Sequence, residues 1–503
     1  MFRTAEVGRK VSKSDYEAAL PALRVELIEL QQQLRQADFP VIVLFAGVDG
    51  AGKGGTVNLL NEWMDPRWLQ TRAYGEPSDE ERERPEFWRY WRDLPPKGRI
   101  GLFLSAWYSR PVLDRVYGRQ GDGGFDRDLD RIIAFEELLA DDGAVILKFW
   151  MHLGKKAQKR RLKSLEKDRL TRWRVTKTDW DHWKKYETFV DAAERLVMRT
   201  SRAHAPWMIV EGEDERYRSL AVGRRLRDAI RSRFEVESDA HESSAGGSSR
   251  VADDAVDASL EPAFERTVFS TLDMDATVDG ATYDTRLPKA QARLNRAYRK
   301  ARDAGRSTVM VFEGWDAGGK GGAIRRLTAA MDARDYQVIP IAAPTDEERV
   351  RPYLWRFWRH LGRAGRVTVY DRSWYGRVLV ERVEGLARPD EWQRAFAEIN
   401  DFERQLVESG TIMVKFWLHI TFDEQLRRFE RRQEIAFKRW KLTDEDWRNR
   451  EKWPEYERAA HQMIGQTSTS LAPWHLVPAN SKRYARLAVL DTVCDALEEA
   501  LAD

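Results

Sequence analysis

Apolar residues in this chain come in short runs separated by longer amphipathic stretches. In the second half the runs are Val309–Phe312, Gln337–Ile341, Arg366–Tyr370, Thr411–Leu418 and Trp474–Val477. Runs of four to eight apolar residues read as buried strands, and the helical stretches between them imply a mostly parallel sheet covered on both faces. The first half repeats the pattern, beginning with Val41–Ala46. Ligands of such sheets bind beyond the carboxyl ends of the strands.

The first run of the second half leads into Gly314-Trp-Asp-Ala-Gly-Gly-Lys-Gly-Gly322, after which a helical pattern continues from Ala323 to Asp332. Gly314, Gly319 and Lys320 have the spacing of a Walker A loop, with Gly321 where Ser or Thr normally follows. Glycines at Gly318, Gly319, Gly321 and Gly322 let backbone N–H groups close around phosphate oxygens, the helix N-terminus adds positive potential, and Lys320 adds a point charge. With the hydroxyl missing, Mg2+ needs another ligand, and Asp316 within the loop is the candidate. The plain alternative for Asp316 is a turn residue capping the helix.

The same loop, Gly47-Val-Asp-Gly-Ala-Gly-Lys-Gly-Gly55, stands 267 residues earlier, and the offset holds along much of the chain. Arg84-Pro85 matches Arg351-Pro352, Trp107-Tyr108 matches Trp374-Tyr375, and Lys148-Phe149-Trp150 matches Lys415-Phe416-Trp417. Such a repeat is a tandem duplication, and its period is too long for a solenoid, so each copy is a domain. The expected boundaries are 1–236 and 262–503. Between them, Glu237 to Glu261 is rich in Ser, Gly, Ala and Asp and reads as a flexible linker.

A second acidic centre follows in Val367-Thr-Val-Tyr-Asp-Arg-Ser-Trp-Tyr-Gly-Arg377, where Asp371 ends a strand as a Walker B acid does. It would hold Mg2+ directly or through water, with the fork of Arg372 beside the transferring group. The first copy has Leu104 and Ser105 there. A leucine cannot ligate Mg2+, so the first copy is expected to be catalytically poor or inert. Farther on, Arg427, Arg428, Arg431 and Arg432 recur at i, i+4 on a helical stretch and are expected to form one basic ridge, a lid over a polyanion. Its first-copy equivalent has Ser164 for Arg431, Leu165 for Arg432 and Thr171 for Lys438. Tryptophans shared by both copies, among them Trp355, Trp374 and Trp417, are read as packing.

Composition narrows the class without naming the chemistry. The 503 residues suffice for two or three domains, and 42% apolar content with twenty Trp marks a globular chain. A formal charge of +3 from 85 basic and 82 acidic residues does not identify a polyanion binder, so local clusters carry that argument. The lone Cys494 excludes an internal disulfide and suits a reducing cytoplasm. Neither a secretory signal nor an apolar run near the roughly 20 residues of a membrane span is present. The expectation is a cytoplasmic α/β protein with no nucleic-acid or membrane partner, and with self-association left open.

Together, G-W-D-A-G-G-K-G-G, Y-D-R-S-W-Y-G-R and V-K-F-W-L-H-I followed by a basic segment ending K-R-W-K resemble the polyphosphate kinase 2 family. The resemblance spans roughly 13–234 and 280–501, and a complete second copy behind an eroded first is similar to the tandem members that phosphorylate AMP. It implies two thymidylate-kinase-like P-loop domains, each with a helical lid, and Mg2+-dependent transfer of a terminal phosphoryl group from inorganic polyphosphate to AMP, giving ADP. By position it carries Asp316, Lys320, Asp371 and Arg372 into catalysis, the two aspartates also as metal ligands. Phosphate binding falls to the loop glycines, to Arg377 at the end of the second motif, and to Arg427, Arg428, Arg431, Arg432, Lys438 and Lys441. Asn480 stands where the family pattern suggests an acid. ADP or a guanine nucleotide as acceptor, a conventional ATP-dependent kinase, and a phosphate-sensing scaffold without turnover remain alternatives.

Overall fold

The computed structural model describes residues 1–245, 266–434 and 444–502. They fall into two compact units, each built around one five-stranded, wholly parallel sheet. The first sheet comprises β1 (Val41–Gly47), β2 (Leu69–Ala73), β3 (Ile100–Leu104), β4 (Val145–His152) and β5 (Trp207–Glu211), in the order β2-β3-β1-β4-β5. The second comprises β6 (Thr308–Gly314), β7 (Tyr336–Pro340), β8 (Val367–Asp371), β9 (Ile412–His419) and β10 (Trp474–Pro478), in the order β10-β9-β6-β8-β7. Each strand of the first sheet thus recurs 267 residues later with identical bounds. The apolar runs become these strands to within a residue or two.

Helices cover both faces, which is why the central strands are apolar without alternation. Every residue of β9 is buried, as is all of β6 except Gly314. In the central strand the register pairs Phe312 with Asp371 on one side and Phe416 on the other. The Gly-rich loop and Asp371 therefore leave the sheet side by side at its carboxyl edge. The helix after the loop begins at Lys320, earlier than the apolar pattern suggested, because the Gly319 N-cap adopts φ +111° and turns the chain directly into it. The composition read as a linker begins inside a helix, Glu215–Ala245, which runs past residue 236; the rest, 246–261, lies outside the described residues.

One charged residue breaks the apolar run of β9. Lys415 is fully buried, and its three N–H bonds reach Glu403 Oε2 at 2.7 Å, Tyr375 Oη at 2.8 Å and the Thr467 carbonyl at 2.8 Å. Trp374 Nε1 donates to the same carboxylate at 3.0 Å. Lys148 repeats this in the first copy with Glu136, Tyr108 and Thr200. The Lys-Phe-Trp and Ser-Trp-Tyr motifs are thus joined by one buried ion pair that fixes the turn after β8. Burial pushes the Glu403 carboxyl up and the Lys415 ammonium down, and each holds the other charged. Truncating one partner strands the other charge, so Lys415→Met should cost about 3–5 kcal/mol in urea unfolding of this unit. Lys415→Met with Glu403→Leu should recover most of that loss.

Candidate active site

The loop after β6 is shaped by positions that reject side chains. A Cβ on Gly314, at φ +133°, would lie 2.3 Å from the Leu418 carbonyl oxygen. Ala317 (φ 60°) and Arg372 (φ 65°) hold left-handed backbone without being glycine. In the first copy their equivalents are Gly50 (φ 78°) and Ser105 (φ 52°), so the turn after the strand outlived the loss of the arginine. Trp315 anchors the loop by stacking on Trp453, with centroids 3.5 Å apart.

Asp316, Lys320, Asp371 and Arg372 meet at one cavity of about 840 Å3, lined by the loop from Asp316 to Ala323. Lys320 Nζ donates to the Gly314 carbonyl at 2.6 Å and the Trp315 carbonyl at 3.2 Å. Arg372 Nη2 lies 3.0 Å from Asp316 Oδ1, and Asn449 Nδ2 donates to Asp316 Oδ2 at 3.0 Å. Burial pushes the Asp316 carboxyl up, but Lys320, Arg372 and the Asn449 hydrogen bond outweigh it and hold the carboxyl below its ordinary value. A Cβ on Gly321 would lie 3.9 Å from Asp371 Oδ2. The Asp371 carboxylate therefore stands beside the loop position that lacks the usual hydroxyl.

The four lid arginines do not form one ridge. The Phe422–Glu434 helix turns Glu424, Gln425, Arg428 and Phe429 inward. Arg428, with its side chain 4% exposed, donates to the Ala317 carbonyl at 2.7 Å and the Asn480 carbonyl at 3.0 Å, clamping the loop at the cavity wall. Arg427, 75% exposed, pairs with Glu424 and does not line the cavity, whereas Arg428, Arg431 and Arg432 do. Arg377 is away from the cavity wall, 3.2 Å from Glu381 and over the Tyr353 ring. Lys438 and Lys441 lie outside the described residues. Asn480 serves the fold, since its Oδ1 accepts from the Thr421 backbone N–H at 3.1 Å.

Sequence reading missed several groups here. Asn449 buttresses Asp316; buried Glu313 accepts from Ser373 Oγ at 2.8 Å behind the loop; Lys482, Arg486 and Arg325 line the cavity. Position by position, the first copy has His182, Ala46 and Ala106, then Glu215, Ser219 and Asn58. That comparison was the available signal. In the first copy Asp49 is held by His182 Nδ1 at 2.6 Å, and the buried Arg218 guanidinium packs against Gly52. The loop backbone survives there among different partners.

Behind the loop lies a pH-sensitive contact. His419 is buried, stacked on Phe269 at 4.4 Å, and its Nδ1 accepts from Trp315 Nε1 at 3.2 Å and Trp417 Nε1 at 3.3 Å. Burial lowers its pKa from 6.5 to about 4. As pH falls, the unfolded chain therefore binds this proton first. Stability is complete above pH 6.5 and declines between 6.5 and about 4, by roughly 3 kcal/mol in all. Urea midpoints measured across that window should fall, and His419→Asn should flatten the decline.

A parallel sheet with a Gly-rich loop at its central strand, an acid ending the neighbouring strand and an arginine-bearing helix above defines an α/β chain built to hold phosphate. The family model for polyphosphate kinase 2 matches residues 10–237 and 277–503, and the chain belongs to that family. It is 49% identical over 501 residues to the polyphosphate:AMP phosphotransferase of Pseudomonas aeruginosa, covering 99% of both chains. The polyphosphate:AMP phosphotransferase of Acinetobacter johnsonii is 36% identical over 95% of this chain and 96% of its own. A Pseudomonas aeruginosa crystal structure assigned to polyphosphate kinase 2 superposes with a TM-score of 0.86 at 47% identity, covering 99% of each chain. Among the described residues, no helix is long and apolar enough to cross a membrane.

Proposed function

We propose that this chain transfers the terminal phosphoryl group of inorganic polyphosphate to AMP, giving ADP, and that residues 262–503 carry out the transfer. The observation carrying the reading is the single cavity that gathers Asp316, Lys320, Asp371 and Arg372 beneath Arg431 and Arg432. It is supported by full-length relatives that bear the name of this reaction.

An AMP phosphate oxygen forms a bond to the terminal phosphorus of the donor. The phosphoanhydride bond breaks, and the shortened chain leaves with the electron pair. Such transfer calls for alignment and charge neutralisation more than for covalent help. The loop N–H groups and Lys320 hold phosphate oxygens, while Arg372, tethered to Asp316, meets the charge between donor and acceptor. Arg431 and Arg432 neutralise the polyanion from above.

Asp316 and Asp371 suit Mg2+. Among the described residues no group of three or more His, Cys, Asp or Glu forms a protein cage, and Mg2+ in phosphoryl-transfer sites typically takes one or two carboxylates and completes its shell with water and phosphate. Bound there, Mg2+ would neutralise phosphate charge. Residues 1–236 are then a degenerate copy, with Leu104 in place of the acid, and 237–261 join the two. The lone, buried Cys494 supports a cytoplasmic setting.

The test offers AMP, ADP, GMP and GDP in parallel, with polyphosphate as sole donor, and resolves products by chromatography. ADP from AMP as the fastest product supports the reading. Fastest turnover of ADP or a guanine nucleotide would reassign the acceptor. Product only after ATP replaces polyphosphate would make the chain a conventional kinase.

A further inference from the structure

One helix differs sharply in charge between the two copies. Lys155–Lys167 of the first unit carries seven cations against one acid, whereas Phe422–Glu434, its counterpart 267 residues later, carries four against four. Its net charge is therefore +6 in the copy with Leu104 and zero in the copy with Asp371.

The difference is concentrated on one face. Gln158 and Leu162 are buried, and Gln158 Nε2 donates to the Asp49 carbonyl at 3.0 Å, so that side of the helix meets the Gly-rich loop. At 3.6 residues per turn, Lys156, Lys159, Lys163 and Lys167 fall on the opposite side, and all four are exposed. They form a stripe about 16 Å long, pointing away from the loop. Their counterparts in the second copy are Asp423, Leu426, Glu430 and Glu434, so the same face inverts from basic to acidic.

The stripe does nothing for its own helix. Lys159–Lys163 and Lys163–Lys167 are like-charge pairs at i, i+4, each mildly destabilising. Ion pairs of this helix fall to its other cations, Lys155 with Glu187 and Arg160 with Glu213. Among the described residues none of the four lysines makes one. Glu166, the helix's one acid, accepts from Trp180 Nε1 at 2.7 Å. Toward the loop the first copy lacks cations that the second has, as Ser164 and Leu165 show, yet its outer face bears four. Regularly spaced cations without partners suit a long anion lying along the helix. The helix holds no aromatic residue, so it offers charge without a platform for stacking bases, which favours an anion that has none.

We propose that this stripe is a non-catalytic docking surface for inorganic polyphosphate, on the unit that does not carry out the transfer. A chain held there stays with the protein between turnovers, which raises the effective concentration of its ends. The proposal rests on polyphosphate being the donor, and binding is measured apart from turnover so that the two readings can fail separately.

The test transplants the second-copy residues into the full-length protein, as Lys156→Asp, Lys159→Leu, Lys163→Glu and Lys167→Glu together. A milder variant changes all four lysines to Gln. Equilibrium binding of labelled long-chain polyphosphate, and of a labelled single-stranded RNA of similar length, is measured over a range of salt. Both variants should bind polyphosphate roughly tenfold to a hundredfold more weakly. The slope of log Kd against log salt should become shallower by about two to three, as four cations no longer displace counterions. In turnover, KM for long chains should rise in step. Values of kcat, KM for AMP and KM for tripolyphosphate should stay within about twofold, because the transfer site is untouched. An unchanged Kd and salt slope in both variants overturns the proposal. So does a loss with tripolyphosphate as large as with long chains, which would place these lysines at the transfer site. RNA bound more tightly than polyphosphate through the same lysines overturns it in favour of a nucleic-acid surface. Absence of polyphosphate-dependent product from the wild-type protein, with binding intact, overturns the donor assignment alone.

Discussion

Asp371→Asn should slow ADP formation about a thousandfold, the upper end for removing one preorganised electrostatic group, while leaving the unit folded. The side chain stands at the carboxyl end of β8, with its Oδ2 beside Gly321, where a Walker loop would offer a hydroxyl. Having no such hydroxyl, the site depends more heavily on this carboxylate for any divalent cation. The strand does not depend on it: the Asp371 carbonyl accepts from Ile341 N–H at 3.0 Å through backbone alone. The loss should therefore appear in kcat, with KM for AMP little changed and the urea midpoint preserved. Raised Mg2+ should restore part of the rate. Activity within tenfold of wild type would remove Asp371 from the mechanism.

Lys320→Ala should also cost a hundredfold or more in rate, whereas Lys53→Ala should change it by less than about twofold. The two lysines are posed alike. Lys53 Nζ donates to the Gly47 carbonyl at 2.6 Å and the Val48 carbonyl at 3.0 Å, as Lys320 does to Gly314 and Trp315. Their surroundings differ. Lys320 shares a cavity wall with Asp371, Arg372, Arg431 and Arg432, and the equivalents near Lys53 are Leu104, Ser105, Ser164 and Leu165. Lys53 keeps Asp49 at 3.8 Å, but with no acid ending the neighbouring strand and no fork beside it, it has little developing charge to stabilise. Measuring kcat/KM for both variants under the same conditions checks the contrast.

Much of this was legible in the sequence because the chain is written twice. Short apolar runs bounded by turns gave all five strands of the second sheet, since buried parallel strands carry no polar alternation to confuse the pattern. The loop was legible because its glycines answer a local backbone demand: Gly314 at φ +133° admits no Cβ. Direction along the lid helix was not legible. Four arginines at i, i+4 spacing read as one surface, yet Arg428 turns inward, because the carbonyls of Ala317 and Asn480 converge on it from distant parts of the chain. Asn449 was hidden for the same reason, since nothing local marks a residue whose partner, Asp316, is more than a hundred positions away. Buried Lys415 looked like part of a strand motif, and its three acceptors come from three separate segments.

The most direct test of the account follows a labelled phosphoryl group. Polyphosphate labelled in its terminal group is mixed with excess protein, Mg2+ and AMP, without ATP, and the label is located after a single turnover. Label in the β-phosphoryl of ADP, lost in Asp371→Asn and retained in Lys53→Ala, is the predicted result. Label released only as inorganic phosphate, or ADP formation that survives Asp371→Asn and fails in Lys53→Ala, would contradict it.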